Sequence, residues 1–197
     1  SIALAAIDVS DFADCERVIK EVTDEFGSVD IVVNCAGITR DGTLKKMPEE
    51  NWKAVISTNL DSAFNVTRHV INGMLDRGWG RIINIASVNG QRGQFGQTNY
   101  ATAKAGMHGF TMALAHEGAA KGITVNTVSP GYVETAMTMA MREDVRGALA
   151  DAADLADLEN FEWPSPGQFD YATLAEQCAR YETHAVMYGF ADVWQRP

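Results

Sequence analysis

The sequence has no apolar run approaching the ~18 residues that a membrane-spanning helix needs, and no charged-then-apolar leader. Neither membrane insertion nor secretion is therefore expected. Cysteine is scarce: Cys15, Cys35 and Cys178 are odd in number and far apart. That argues against a disulfide framework and fits a reduced, cytoplasmic protein. His69, His108, His116 and His184 lack ligand spacing, so no metal site is expected. Positive charge is also short, with 16 Lys and Arg against 26 acids and a net charge of −10. An acidic chain without a basic stripe argues against nucleic acid as a partner. The imbalance is uneven. Residues 1–150 carry 17 acids and 14 Lys or Arg, whereas 151–197 carry nine and two. The shift predicts a main domain over 1–150 and an acidic tail over 151–197 of different origin or role.

What the chain does have is alternating strand and helix. Ile2–Ile7 reads as a buried strand. Ser10 or Asp11 then caps a helix in which Phe12, Cys15, Val18, Ile19, Val22 and Phe26 share a face, with Gly27 as its stop. A strand follows from Asp30, ending in a loop at Gly37. Pro48, Glu49 and Glu50 suit the first turn of a helical region that runs, with a break, to about Arg77. Gly80–Ser87 reads as a third strand, 99–121 as a long helix and Ile123–Gly131 as a fourth strand. These strands are continuous apolar runs, the pattern of a parallel sheet covered by helices on both faces. In the tail, Leu174, Cys178, Tyr181 and Ala185 suggest an amphipathic helix.

Ligands in open α/β sheets bind outside the carboxyl ends of the strands. Asn34–Gly37, Ser87 and Pro130–Gly131 all fall at such ends. Tyr100 and Lys104 stand at i and i+4, so they share a helix face about 5–6 Å apart at Cβ. A nearby positive charge favours phenolate over phenol. A phenol tuned in this way can exchange a proton with a carbonyl oxygen. Ser87, thirteen residues upstream, could hydrogen-bond the same oxygen. A Tyr–Lys pair is also common on exposed helices. The added serine and the strand context favour an acid–base site.

Those residues fall within an ordered set: Asn34-Cys-Ala-Gly37, Thr58-Asn-Leu60, Ile85-Ala-Ser-Val-Asn-Gly90, Tyr100-Ala-Thr-Ala-Lys104 and Ser129-Pro-Gly131, preceded by Asp8-Val9. The set resembles the short-chain dehydrogenase/reductase family over about residues 1–150. The resemblance implies an incomplete Rossmann-like, doubly wound parallel sheet that binds NADP(H). By it, Tyr100 would donate a proton to a ketone, Lys104 would bind the nicotinamide ribose and make Tyr100 more acidic, and Ser87 would hold the carbonyl. Asn59 would position a water relaying protons to Lys104. Asp8 and Val9 would contact adenine, and Asn34, Ala36 and Gly37 the ribose. Pro130, Gly131 and Val133 would flank the nicotinamide, with Thr135 near its amide or phosphate.

Within that family, Gly93–Tyr100 and His108–Ala115 are most similar to the acetoacetyl-CoA reductases. Their resemblance implies reduction of a 3-oxoacyl-CoA to a (3R)-hydroxyacyl-CoA with NADPH, as in polyhydroxyalkanoate synthesis. Gln94, Phe95, Gln97 and Tyr132 would then contact the acyl group. The run from Asn34 to Asp41 is equally close to the acyl-carrier-protein reductases, which stay open as an alternative. Met137, Met139 and Met141 fit either a lid or ordinary packing. The helical faces over 48–77 and 99–121 resemble the family's four-helix contact, implying a homo-oligomer, dimer or tetramer.

Two departures bear on activity. The family's Gly-rich phosphate turn does not occur ahead of Ile2, and the family's last helix and strand are not recognisable after about Ala152. If the first two strands are missing, Ile2–Ile7 should either pair beside Asp30–Asn34 or pack loosely. A catalytically silent, truncated chain that binds cofactor poorly is thus a second functional expectation.

Overall fold

The computed structural model describes residues 3–131 and 185–188. Contacts divide the chain into two compact units, one comprising 1–128 with 187–197 and the other 129–186. The expected boundary near residue 150 lies outside the described residues.

The first unit opens with helix α1, Phe12–Phe26. Its start is fixed by Asp11, whose carboxylate accepts the N–H groups of Ala13 and Asp14 at 2.8 and 3.0 Å. Its end is set by Gly27, which adopts φ +85° and donates its N–H to the Thr23 carbonyl at 2.8 Å. Strand β1 is Ile31–Asn34. Helix α2 covers Glu49–Ile56 and continues through a π-helical turn, Ser57–Asp61, into α3, Ser62–Arg77. The break expected in this region is therefore a wider turn inside one helical run. Strand β2 is Gly80–Ile85, short helix α4 is Asn89–Arg92, long helix α5 is Thr98–Gly118, and β3 is Ile123–Pro130. Strand β4, Ala185–Tyr188, stands beside β3 at the end of the sheet order β1-β2-β3-β4.

β1, β2 and β3 are parallel, with Val32 beside Ile82 and Ile82 beside Val125. That row faces Val70 and Met74 of α3, with Ile19 of α1 and Leu114 of α5 packed against it. Thus α1, α3 and α5 cover one face of this sheet. On the other face Ile31 and Val33 are 58% and 55% exposed. The sheet of β1, β2 and β3 is parallel and the fold α/β as expected, though partial. Burial on both faces is what makes parallel strands apolar throughout, and β1 has that composition while showing one bare side.

Two expected elements differ. Residues 3–7 form no strand and are exposed, Leu4 by 97%. Of the two outcomes considered for this run, pairing beside Asp30–Asn34 does not occur. It is tied instead to α1: Arg17 donates to the Ala6 carbonyl at 3.1 Å, and Asp8 N–H to the Asp14 carboxylate at 2.7 Å. In the tail, Ala185 opens a strand instead of lying on a helix, because Ala-Val-Met-Tyr suits a pleated surface. Leu174, Cys178 and Tyr181 lie outside the described residues.

The turn leading into β3 approaches the one leading into β2. Gly122 has φ +70°, and a Cβ there would collide with the Gly78 carbonyl oxygen. Gly122→Ala should lower the stability of this unit by ~1–3 kcal/mol. Urea denaturation with unchanged slope and a lower midpoint is the expected reading.

Candidate active site

The loop after β1 supplies the first wall. Its composition, Cys35-Ala-Gly37, keeps side chains small, and Cys35 and Ala36 are exposed. The π-helical turn turns Asn59 inward, where it is 0% exposed. Its Oδ1 accepts the Ile38 N–H at 2.8 Å and its Nδ2 donates to the Ile38 carbonyl at 2.9 Å. One amide thereby satisfies both backbone groups of a loop residue that has no strand partner.

α5 supplies the second wall. Asn99, 0% exposed, accepts the Tyr100 N–H at 2.8 Å and donates to the Arg40 carbonyl at 2.9 Å. The start of α5 is thus locked to the same loop. One turn on, Lys104 is 3% exposed, and its Nζ donates to the Ile85 carbonyl at 2.7 Å. Nζ stands 5.7 Å from the centroid of the Tyr100 ring. Burial pushes the Lys104 ammonium down to a pKa of about 8. The third wall is Ser87, just beyond β2, whose Oγ accepts the Asn89 N–H at 3.2 Å.

Two of these groups meet at Gly37. A Cβ placed on Gly37 would lie 3.6 Å from Asn59 Oδ1 and 3.7 Å from Lys104 Nζ. Gly37 therefore faces an amide oxygen and an ammonium, and any side chain there would touch both. Such a cradle fits the hydroxyl-bearing part of a nucleotide cofactor.

Other expected residues are placed differently. Asp8 is exposed, and its carboxylate accepts the Ser10 hydroxyl at 2.6 Å and the Ser10 N–H at 2.9 Å. Those bonds hold its pKa below the ordinary carboxylate value. Val9 is anchored through its carbonyl, which accepts from the buried Asn65 amide at 3.0 Å. The Asn34 amide is directed into the protein, donating to Asn84 at 2.8 Å and to Thr67 at 3.4 Å. Phe95 is 87% exposed, and Gln94 half-buried. Gln97 is buried and bonded to Asp41 and Asn89, each at 3.0 Å. Pro130 ends β3 and Gly131 follows it. Tyr132, Val133, Thr135, Met137, Met139 and Met141 lie outside the described residues.

Sequence reasoning missed Asp41, Asn89 and Asn99. Each is a polar residue inside or beside a matched motif, and the clue was a short amide or acid where the loop needed no surface charge.

The family model described as short chain dehydrogenase matches residues 1–146, and the chain belongs to that family. Acetoacetyl-CoA reductase of Allochromatium vinosum is 68% identical over 148 residues, 75% of this chain and 60% of that protein. Acetoacetyl-CoA reductase of Cupriavidus necator is 63% identical over 137 residues, 70% of this chain and 56% of that protein. A 3-oxoacyl-acyl-carrier-protein reductase of Vibrio cholerae is 51% identical over 143 residues, 73% of this chain and 59% of that protein. The chain thus spans 56–60% of the length of these relatives.

The buried Lys104 has a consequence for stability. Its folded pKa lies below its unfolded value, so the folded state releases that proton more readily. Lys104 therefore weakens folding below pH ~8, and this penalty is relieved as pH rises from about 8 to about 10.5. Lys104→Met should be more stable than the parent at pH 7, by up to ~3 kcal/mol. The difference should shrink as pH rises through that window, as read from paired denaturation midpoints.

Proposed function

We propose that this chain carries the acid–base site of a reductase that converts a 3-oxoacyl-CoA, such as acetoacetyl-CoA, into a (3R)-hydroxyacyl-CoA using NADPH. The observation that supports the reading is the meeting of Lys104 Nζ and Asn59 Oδ1 at Gly37, with the Tyr100 ring centroid 5.7 Å from that Nζ. The names of relatives that are 63% and 68% identical favour acetoacetyl-CoA. The acyl-carrier-protein reductase at 51% fits the alternative less well.

The cofactor supplies a hydride to the carbonyl carbon when bound, and the protein supplies the rest. Ser87 Oγ accepts from the Asn89 backbone, which turns its proton away from that bond and leaves it to be donated to the substrate oxygen. Tyr100 delivers the proton that the oxygen takes up as it becomes an alkoxide. The Lys104 ammonium favours the negative charge left on the phenol oxygen and offers donors to the cofactor ribose, beside Ala36 and Gly37. Asn59 holds the loop that carries those residues and positions a water in the proton relay. Asp8 and Val9 meet the adenine, and Asn34 sets the end of β1 from within. Pro130, Gly131, Val133 and Thr135 serve the nicotinamide end, as in the family. Gln94, Phe95 and Tyr132 contact the acyl group, while the Gln97 side chain is held by Asp41 and Asn89.

The protein acts in the cytoplasm as a homo-oligomer. A groove of about 360 Å³ along α3 and α5, lined by Phe64, Ile71, Leu75, Phe110 and Leu114, supports assembly through these helices. NADPH in place of NADH rests on the family likeness.

Following loss of nicotinamide absorbance with acetoacetyl-CoA tests the reading. Tyr100→Phe should reduce kcat by at least ~100-fold, the size of a lost general acid, and leave NADPH binding intact. Absence of NADPH binding by the parent protein would favour the silent-chain reading.

A further inference from the structure

Gln97 occupies the N-cap position of α5, yet its side chain makes no cap bond. It is 4% exposed and points between two partners. Its Nε2 donates to the Asp41 carboxylate at 3.0 Å, and its Oε1 accepts from Asn89 Nδ2 at 3.0 Å. Asn89 is 6% exposed, and its own backbone N–H is the group that donates to Ser87 Oγ at 3.2 Å. An unbroken line of hydrogen bonds runs from Asp41, in the loop after β1, through Gln97 and Asn89 to the Ser87 hydroxyl.

We propose that Gln97, oriented by Asp41, is a positioning residue that sets the Ser87 hydroxyl for proton donation through Asn89, in place of the substrate contact its motif suggested. The order of donors is dictated by chemistry. Asp41 as a carboxylate only accepts, so it selects the NH₂ end of Gln97. The Gln97 oxygen must then face Asn89 and can take only an N–H from it. With its side chain so held, Asn89 keeps its backbone N–H on Ser87 Oγ, and the oxygen's accepting side is occupied. The surroundings are stiff enough for this to matter. Gly42 N–H donates to the Gly96 carbonyl at 2.8 Å, tying the two loops together. Gly90 lets α4 lie directly on α5, since a Cβ there would be 2.7 Å from the Lys104 carbonyl carbon. Burial makes each bond costly to leave unmade.

The inference rests on the reductase reading for what Ser87 does, but not for how Ser87 is held. The test uses purified protein and four variants. Gln97→Leu has similar bulk and can bond to neither partner. Gln97→Glu sets a second carboxylate against Asp41. Asp41→Asn still accepts from Gln97. The double variant Asp41→Asn with Gln97→Glu restores both bonds, because the new amide can donate to the new carboxylate, which can in turn accept from Asn89. The single Gln97 changes should lower kcat for acetoacetyl-CoA about tenfold or more, with KM within about twofold, because only transition-state stabilisation is lost. Asp41→Asn, which can still accept from Gln97 but no longer excludes the flipped amide, should lose less kcat than either Gln97 change, and the double variant should recover most of the kcat lost in Gln97→Glu. Hydrogen exchange of the peptide spanning 86–93 should quicken in Gln97→Leu, while β2 and α3 stay protected. A raised KM with unchanged kcat, or no recovery in the double variant, would overturn the proposal in favour of direct substrate contact. Unchanged exchange over 86–93 would overturn it whatever the activity. Faster exchange in a protein that fails to reduce acetoacetyl-CoA would sink the functional reading and leave the positioning of Ser87 standing.

Discussion

The arrangement depends on one side chain meeting one peptide unit. Asn59 holds both the N–H and the carbonyl of Ile38, within a loop that leaves β1 without a strand partner. Buried backbone polar groups must be satisfied, and here the partner comes from a helix instead of a neighbouring strand. A regular α-helix through 57–61 would carry a different set of side chains toward the loop. The π-helical turn inserts the extra width that brings Asn59 inside. Once Ile38 is fixed, the next residues have few choices. Arg40 meets Asn99, Asp41 meets Gln97, and Gly42 meets Gly96. Three successive contacts thereby dock the loop onto the start of α5, the segment that bears Tyr100.

The second constraint is electrostatic. An ammonium buried to 3% exposure is unfavourable by itself, and the downward shift of Lys104 reports that cost. Burial is offset only in part, by the nearby Cys35 side chain, and the bond identified is to the Ile85 carbonyl at the end of β2. An ammonium has three protons to donate. The face turned toward Gly37 therefore attracts any ligand that brings hydroxyl oxygens. A site that is electrostatically unfavourable when empty and satisfied by a polar ligand fits binding better than it fits stability. This is why a residue that weakens the fold near neutral pH is consistent with a functional role.

Much of this was legible in the sequence. The spacing from Phe12 to Phe26, capped by Asp11 and stopped by Gly27, gave a helix with those bounds. Three apolar runs match the three parallel strands, and the Tyr–Lys spacing matches the 5.7 Å between Lys104 Nζ and the Tyr100 ring centroid. What failed did so for reasons of tertiary context. Ile2–Ile7 reads as a strand by composition, but a strand exists only where an edge receives it, and residues 3–7 join no sheet among the described residues. Asn34 and Gln97 belong to motifs at a strand end and in a loop, where ligand contact is expected, and in the structure their side chains bond within the protein. Their direction depends on Asn84, Thr67, Asp41 and Asn89, which lie 33 to 56 residues away or are separated from them by a loop. Spacing along one element could not report that. The π-helical turn was visible only as a break, since one extra residue in a turn changes little in the hydrophobic pattern.

The sheet itself explains why polar chemistry collects at one end. Along its helix-covered face, Val32, Ile82 and Val125 form an apolar row against α3. Two residues further on, toward the carboxyl ends, the same three strands place Asn34, Asn84 and Thr127 side by side. Asn34 donates to Asn84, Asn84 to Thr111 of α5 at 2.8 Å, and Thr127 meets the same Thr111 hydroxyl at 2.6 Å. The face changes from dry to hydrogen-bonded within one pleat repeat. A network of this kind stabilises only when every member is satisfied, and each bond fixes the direction of the next. It therefore holds the ends of β1 and β2 in register where the loops of the candidate site leave them. Replacing this row with valines would keep the core and remove that directional control. The polar row is better understood as the base on which Gly37, Ser87 and Lys104 are aligned than as a general contribution to stability.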